Sequence, residues 1–256
     1  ASGDETSADT QAADAETTDA ETTDASKTDG TFTVGFDQDF PPMGFVGDDG
    51  EFTGFDLEMA AEVAKRLNLM IAYQPIAWDA KDMELDAGTI DCIWNGFTMN
   101  GREDDYEWSK PYMKNNQVFV VRGDSDINSE ADLAGKNVEV QTDSSAEAAL
   151  NDNSELTSTF GSLTPVADYN TAFMDLESGA VDAIAMDDVV ASYQITSRKA
   201  DFKVLDDVIA AEEYGIGFKK GNTGLRDKVQ ATLEEMAADG TAAKISEKWF
   251  GKDITT

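Results

Sequence analysis

Residues 91–113, DCIWNGFTMNGREDDYEWSKPYM, hold side-chain types suited to gripping an anion. An apolar run, Cys92-Ile93-Trp94, breaks into a polar turn, Asn95-Gly96-Phe97-Thr98-Met99-Asn100-Gly101, and reaches Arg102. A buried strand ending in a glycine-containing turn stops its backbone N–H groups short of partners. Those groups, the Thr98 hydroxyl and the Arg102 guanidinium could together hold a carboxylate. The planar guanidinium suits the task because it donates two parallel hydrogen bonds to the two oxygens. The competing reading makes Arg102 a surface arginine among Glu103, Asp104 and Asp105.

A second stretch bears on that choice. Leu85-Asp-Ala-Gly88-Thr-Ile-Asp91-Cys-Ile93 is echoed by Leu176-Glu-Ser-Gly179-Ala-Val-Asp182-Ala-Ile184. Both read as a helix end, a glycine C-cap and an apolar strand. Two copies of one supersecondary unit suggest two similar lobes. The first strand leads to Thr98 and Arg102, the second to Met186-Asp187-Asp188. Ligands in open α/β sheets sit beyond the carboxyl ends of strands. One lobe would thus offer a cation and the other an anion, as an amino-acid zwitterion in a cleft requires.

Composition narrows the classes. The chain has 256 residues, a formal net charge of −33 and no histidine. Nucleic-acid binding and attraction to anionic lipid both need basic patches and are disfavoured. Zinc sites and histidine-based acid–base chemistry lose their commonest residue, so neither a metal nor a catalytic residue is expected. Cys92 is the only cysteine and lies in an apolar run, which makes it a core residue. No apolar run approaches the ~20 residues of a membrane helix.

The elements that must position the candidate residues follow in order. Residues 1–30 hold no aromatic and no large aliphatic residue, and read as a disordered acidic linker. Nine acids against Lys27 alone give this segment −8, which leaves −25 of the −33 for the rest. Phe32-Thr-Val34-Gly-Phe36 alternates like a half-buried strand and runs into the loop Asp37-Gln38-Asp39-Phe40-Pro41-Pro42. Residues 56–67 predict a helix, with Asp56 as N-cap, Glu58 in its first turn and Lys65-Arg66 in its last. Strands are expected near 70–73, 117–121, 137–141 and 214–218, and helices at 83–87 and 170–177. Leu225, Val229, Leu233 and Met236 mark one face of a later helix that Gly240 ends. Thr142-Asp-Ser144-Ser145 favours a helix N-terminus, where unpaired N–H groups attract anions; simple N-capping explains the same residues. Strands alternate with helices throughout, an α/β pattern.

At four places the chain resembles the extracytoplasmic solute-binding proteins of polar amino-acid ABC transporters. These are Val34-Gly-Phe-Asp37-Gln-Asp-Phe40-Pro-Pro, Gly54-Phe-Asp56-Leu-Glu58-Met, Arg102 with Trp108-Ser-Lys-Pro111-Tyr112, and Tyr214-Gly-Ile-Gly-Phe218 through Gly240-Thr and Lys248-Trp-Phe-Gly251. The resemblance spans about 31–253. It implies a two-lobed periplasmic-binding-protein-like α/β fold, with a ligand cleft between the lobes and a two-strand hinge near 112–118 and 209–215. Lobe 1 would comprise 31–114 with 213–256, and lobe 2 would comprise 115–212. Arg102 takes the position that grips the ligand α-carboxylate, with Thr98, a Gly96 carbonyl and Ser145 beside it. Asp187 takes the position that binds the α-ammonium. Asp37, Phe40, Trp78, Asn95 and Gln141 face the ligand side chain. Thr98-Met-Asn-Gly-Arg102 departs from the usual T-x-T-x-E-R by being one residue shorter.

The function so implied is capture of a polar L-amino acid, basic or amide, and its delivery to a membrane permease by a monomeric, non-enzymatic protein without cofactor. Lipoprotein relatives further imply an extracytoplasmic location and a lipid-bearing cysteine ahead of Ala1. Two alternatives stay open: a ligand-sensing domain of a receptor, and a periplasmic dehydratase on the same fold. The latter would need a positioned general acid, and without histidine that load falls on a carboxylate.

Overall fold

The structure is a computed structural model that describes residues 30–256. The expected linker lies outside the described residues except for Gly30. Along the chain come β1 (Thr31–Phe36), β2 (Asp39–Phe40), β3 (Gly44–Val46), β4 (Phe52–Thr53), α1 (Phe55–Arg66), β5 (Met70–Pro75), α2 (Lys81–Ala87), β6 (Cys92–Thr98), β7 (Glu107–Trp108) and β8 (Met113–Arg122). There follow β9 (Asn137–Gln141), α3 (Ser145–Asn151), α4 (Ser154–Thr157), β10 (Ser162–Val166), α5 (Tyr169–Ser178), β11 (Ala183–Asp187), α6 (Asp188–Arg198), β12 (Phe202–Phe218), α7 (Thr223–Ala238) and α8 (Thr241–Phe250).

Among the described residues one nine-stranded sheet runs β10-β9-β11-β8-β12-β6-β1-β5, with β7 paired to β12, and β2-β3-β4 form a small second sheet. Strands β6, β1 and β5 are mutually parallel, as are β10, β9 and β11. Parallel neighbours need crossover connections, which α1, α2, α3 and α5 supply. Between the two parallel halves lie β8 and β12, antiparallel to each other and to the strands beside them. A core of Phe119, Val138, Val140, Leu150 and Ala185 packs in one half, and Phe32, Val34, Phe55, Val63 and Trp94 belong to the core of the other.

Strand β1 departs from the half-buried alternation expected of it: every residue after Thr31 is buried. It is an inner strand, paired with β5 on one side and β6 on the other. Inner parallel strands are covered on both faces, and their sequence need not alternate.

The sequence echo has a structural cause. Helices α2 and α5 both end on a left-handed glycine, Gly88 at φ 78° and Gly179 at φ 84°. Each motif aspartate then ties its strand to the next one. Asp91 donates its N–H to Thr33 O (2.8 Å) and accepts from Thr33 N through Oδ2 (2.7 Å). Asp182 does the same with Asn137, at 2.9 Å for each bond. The aspartates are thus register pins at the head of equivalent strands.

Asp56 is not the N-cap of α1, as the sequence suggested. Gly54 holds that position without a side-chain cap, and the first amides of the helix are already used. Phe55 N donates to Pro42 O (2.7 Å) and Asp56 N to Met43 O (3.1 Å). The Asp56 side chain is fully buried and turns inward instead. Its Oδ2 accepts from Gly96 N (2.6 Å) and its Oδ1 from Tyr112 OH (2.7 Å). Gly54 is required by the same construction, since at φ 137° an added Cβ would stand 2.4 Å from Met43 O. Gly54→Ala is therefore expected to destabilise the protein by at least about 2 kcal/mol, through backbone strain and overlap with a fixed carbonyl. Urea unfolding with an unchanged midpoint would refute this account of the motif.

Candidate functional site

Strand β6 carries three of the expected site residues and is not interrupted where the polar turn was expected. All seven residues, through Thr98, belong to the strand and are buried, with Gly96 alone outside the extended region. The polar segment is instead a bulge. Strand β12 pairs Phe218 with Cys92 and Gly217 with Ile93, then Gly215 with Phe97 and Tyr214 with Thr98. Trp94, Asn95 and Gly96 therefore stand opposite Ile216 alone. Such a bulge bends the strand and re-aims its side chains. Gly96 adopts φ 55°, in the left-handed region. Its N–H is held by Asp56, so this amide is not one of the free anion donors first inferred.

The bulge supports the loop after β1. Asn95 Oδ1 accepts from Asp37 N (3.1 Å), and Asn95 Nδ2 donates to Asp37 O (3.4 Å). Asn95 thus pins the backbone of Asp37. The Asp37 carboxylate reaches across the cleft and accepts from Gln141 Nε2 (2.8 Å) at the end of β9. Phe40 on β2 lies against Tyr169 of α5, with ring centroids 6.2 Å apart.

A rim clasp closes the other side. Asp143, left-handed at φ 60°, follows β9. Its carbonyl accepts from Trp78 Nε1 (3.2 Å) and Arg102 Nη2 (3.0 Å), and its carboxylate pairs with Lys81. Lys81 is 2% exposed. Burial holds its ammonium below the ordinary lysine range, against the pull of Asp143. Arg102 is anchored at three points: Nη1 donates to Thr98 O (3.1 Å), Nη2 to Asp143 O, and the guanidinium carbon sits 4.9 Å over the Phe97 ring. It is not a solvated arginine among its acidic neighbours. The short loop between Thr98 and Arg102 folds as a turn, with Arg102 N donating to Met99 O (2.9 Å).

Ser144 is the N-cap of α3, its hydroxyl accepting from Glu147 N (3.1 Å). Ser145 is the next residue and reaches Thr98 Oγ1 at 3.2 Å. Asp187 ends β11, fully enclosed, and accepts from Tyr214 OH and from Asn115 Nδ2 (3.2 Å). All eleven expected residues except Asp37 line one cavity of about 280 Å³, part of it open to solvent. Asp37 stands at its edge, where it lines an adjoining mouth with Trp78. The cavity lining carries one base, Arg102, and one acid, Asp187, with the Asp37 carboxyl at its edge. Burial first, partly offset by the Asp39 amide and Gln141, pushes the Asp37 carboxyl up to about 6. Burial and then the nearby Glu212 carboxyl push Asp187 up to about 7.

Glu212 was missed by sequence reasoning. It is buried on β12, and its Oε1 accepts from Thr98 Oγ1 (2.7 Å), Gln117 Nε2 (2.5 Å), Asn115 Nδ2 (2.9 Å) and Ser145 Oγ (3.0 Å). A period-2 reading of β12 gives the only signal, since Glu212 shares a face with the inward Tyr214. Metal-holding clusters of three or more acidic or thiol groups are absent among the described residues.

Two parallel-sheet halves, joined by two crossing strands and closed on a polar cleft, define a two-lobed binding protein of the periplasmic type. The family model for bacterial extracellular solute-binding proteins, family 3, matches residues 32–252. The chain belongs to this family of extracellular solute-binding proteins and is a binding protein, not an enzyme. It is 34% identical to the L-cystine-binding protein TcyJ of Escherichia coli strain K12, over 88% of this chain and 84% of that one. A substrate-binding protein of a Streptococcus pneumoniae ABC uptake transporter, solved with histidine, superposes with a TM-score of 0.86 at 34% identity, covering 89% of this chain and 95% of that one. An ancestral arginine-binding protein solved with arginine gives 0.81 at 36% identity, covering 87% and 99%.

Four buried carboxyls with raised values set a pH dependence, one of them Glu139, which burial and then Asp175 push from 4.5 up to about 7. Asp37 at about 6, and Asp56 and Asp187 at about 7, each start from 3.8. The native state therefore holds protons that the unfolded chain releases. Their stabilising contribution is complete below the unfolded value and lost as pH rises through 6 to 7. The ligand-free protein should melt at a higher temperature at pH 5 than at pH 8, with a shallower slope for Asp187→Asn. Scanning calorimetry showing a flat or rising melting temperature over that interval would contradict these environments.

Proposed function

We propose that the chain captures a polar L-amino acid, with a cationic or amide side chain, between its lobes and delivers it to the permease of an ABC transporter. In this reading lobe 1 is 31–114 with 213–256, and lobe 2 is 115–212. The observation that carries it is the convergence of one anchored guanidinium and several buried carboxyls on a single closed cleft. Arg102 receives the α-carboxylate, with the Thr98 and Ser145 hydroxyls beside it, and Asp187 receives the α-ammonium. Buried charges require partners, and a zwitterion supplies both signs. Phe40 and Trp78 give flat apolar walls, and Asp37 with Gln141 can accept from a guanidinium, an ammonium or an amide. Gly96 offers its carbonyl, Asn95 fixes the Asp37 loop, and Ser144 orders the start of α3.

A longer ligand such as cystine is a second reading. It is favoured by the mouth beside Asp37 and Trp78, about 980 Å³ including open solvent, and by the relative named for cystine.

The test is a thermal-shift screen of the wild-type protein against the twenty amino acids and cystine. A ligand at ~100 times its dissociation constant should add roughly 2.7 kcal/mol of stability. Arg102→Ala should abolish the shift of every hit, since a carboxylate left desolvated and unpaired costs roughly 2–5 kcal/mol. Unchanged shifts in that variant would remove Arg102 from the site, and a screen without hits would overturn the reading.

A further inference from the structure

Directly behind the cleft lining, bonded to Thr98 and Ser145, stands a buried carboxyl with no role in the reading so far. Glu212 is 6% exposed and sits where β12 crosses beside β8. Asn115 Nδ2 lies 2.9 Å from Glu212 Oε1 and 3.2 Å from Asp187 Oδ2. One amide nitrogen within reach of both sets the two carboxyls side by side. Neither takes part in an ion pair with a lysine or arginine among the described residues.

We propose that Glu212 is a second carboxylate contact for the ligand α-ammonium, beside Asp187, and that it makes the cleft selective for amino acids of net positive charge. This rests on the reading of the cleft as an amino-acid site. An ammonium carries three donors and no acceptor, so it is best met by several oxygens at once. Two neighbouring carboxyls repel, and a cation placed between them turns that repulsion into attraction. The donors already on Glu212 leave room for this. Thr98, Gln117, Asn115 and Ser145 all fall on Oε1 and none of them on Oε2. Thr98 and Ser145 also belong to the α-carboxylate end of the proposed ligand. Glu212 therefore stands where the two head groups of an amino acid meet.

The charge count changes with it. Asp37, Asp187 and Glu212 face Arg102 alone, because Lys81 is engaged with Asp143. A zwitterion of zero net charge leaves that acidic surplus as it was. A ligand of charge +1 reduces it. The selectivity thus arises at the head-group end of the cleft as well as at Asp37.

The test is a cycle between protein and ligand, read by calorimetry with wild type and Glu212→Gln. The probes are L-arginine, L-glutamine and 5-guanidinopentanoate, which is arginine without its α-amino group. Wild type should bind L-arginine at least tenfold more tightly than L-glutamine, and the variant should narrow that ratio. Removing the α-amino group should cost wild type at least tenfold more affinity than it costs the variant. A purely structural role for Glu212 would weaken both ligands equally and leave this difference at zero. Should the variant not fold, a crystal structure of wild type with its bound amino acid decides the matter. The α-nitrogen should lie within hydrogen-bond distance of both Glu212 and Asp187. An α-nitrogen on Asp187 alone, an unchanged cycle, or glutamine binding as tightly as arginine overturns the inference and leaves amino-acid binding standing. Failure of wild type to bind any amino acid overturns both.

Discussion

The carboxyl of Asp56 is the constraint on which the rest of the molecule turns. It is fully buried, and each of its oxygens is committed: one to the Gly96 amide in the β6 bulge, the other to the Tyr112 hydroxyl just before the crossing strand β8. Two elements distant in sequence are thereby fixed to the first turn of α1. Burial pushes its carboxyl up to about 7, against the lowering effect of Tyr112 and Gly96. An enclosed acid stripped of those donors would cost more than the bonds contribute when made, because unpaired buried polar groups carry their full desolvation penalty. Hence the bulge, the left-handed Gly96 and the aim of Asn95 at the Asp37 loop form one construction.

From that construction follows a division of labour within the cleft. The first half of the sheet presents the guanidinium and the aromatic walls, and the second half presents Gln141, Ser145 and Asp187. The crossing strands contribute too: Asn115 and Gln117 come from β8 and Glu212 from β12. The connection itself therefore backs the cleft, with its side chains bonded to the lining residues Thr98, Ser145 and Asp187. Side chains on β8 and β12 feel both halves at once, and the amide groups of Asn115 and Gln117 spread the charge of the carboxyls over neutral donors.

Much of this was legible in sequence, for a physical reason. Arg102, Thr98 and Asp187 sit at strand ends after a repeated helix–glycine–strand unit, and that periodicity is local. The α/β class, the C-cap glycines and the capping serine at Ser144 were readable on the same ground. What escaped depends on contacts between distant residues. Asp56 looks like an N-cap within its own helix, and only the carbonyls of Pro42 and Met43 make a cap unnecessary. The whole Asn95–Gly101 segment looks like a turn because its composition is polar, whereas β12 keeps its first part, through Thr98, in the strand and only the remainder turns. Glu212 stands next to Glu213 in an acidic strand, and nothing local says that one is enclosed while the other is only half-buried. Strand β1 seemed half-buried because Thr33 and Gly35 interrupt its apolar run, although sheet on both sides encloses it.

The rim clasp carries a kinetic consequence. Asp143 gathers Trp78, Arg102 and Lys81 on one residue, far along the chain from all three and on the opposite half of the sheet. Opening the cleft at this rim requires those bonds to let go, while the pairing of the crossing strands at the back does not depend on them. Residence time is thereby set at the doorway as much as by the fit inside. Tightness of grip inside the cleft and speed of opening at its rim can therefore be tuned at different residues.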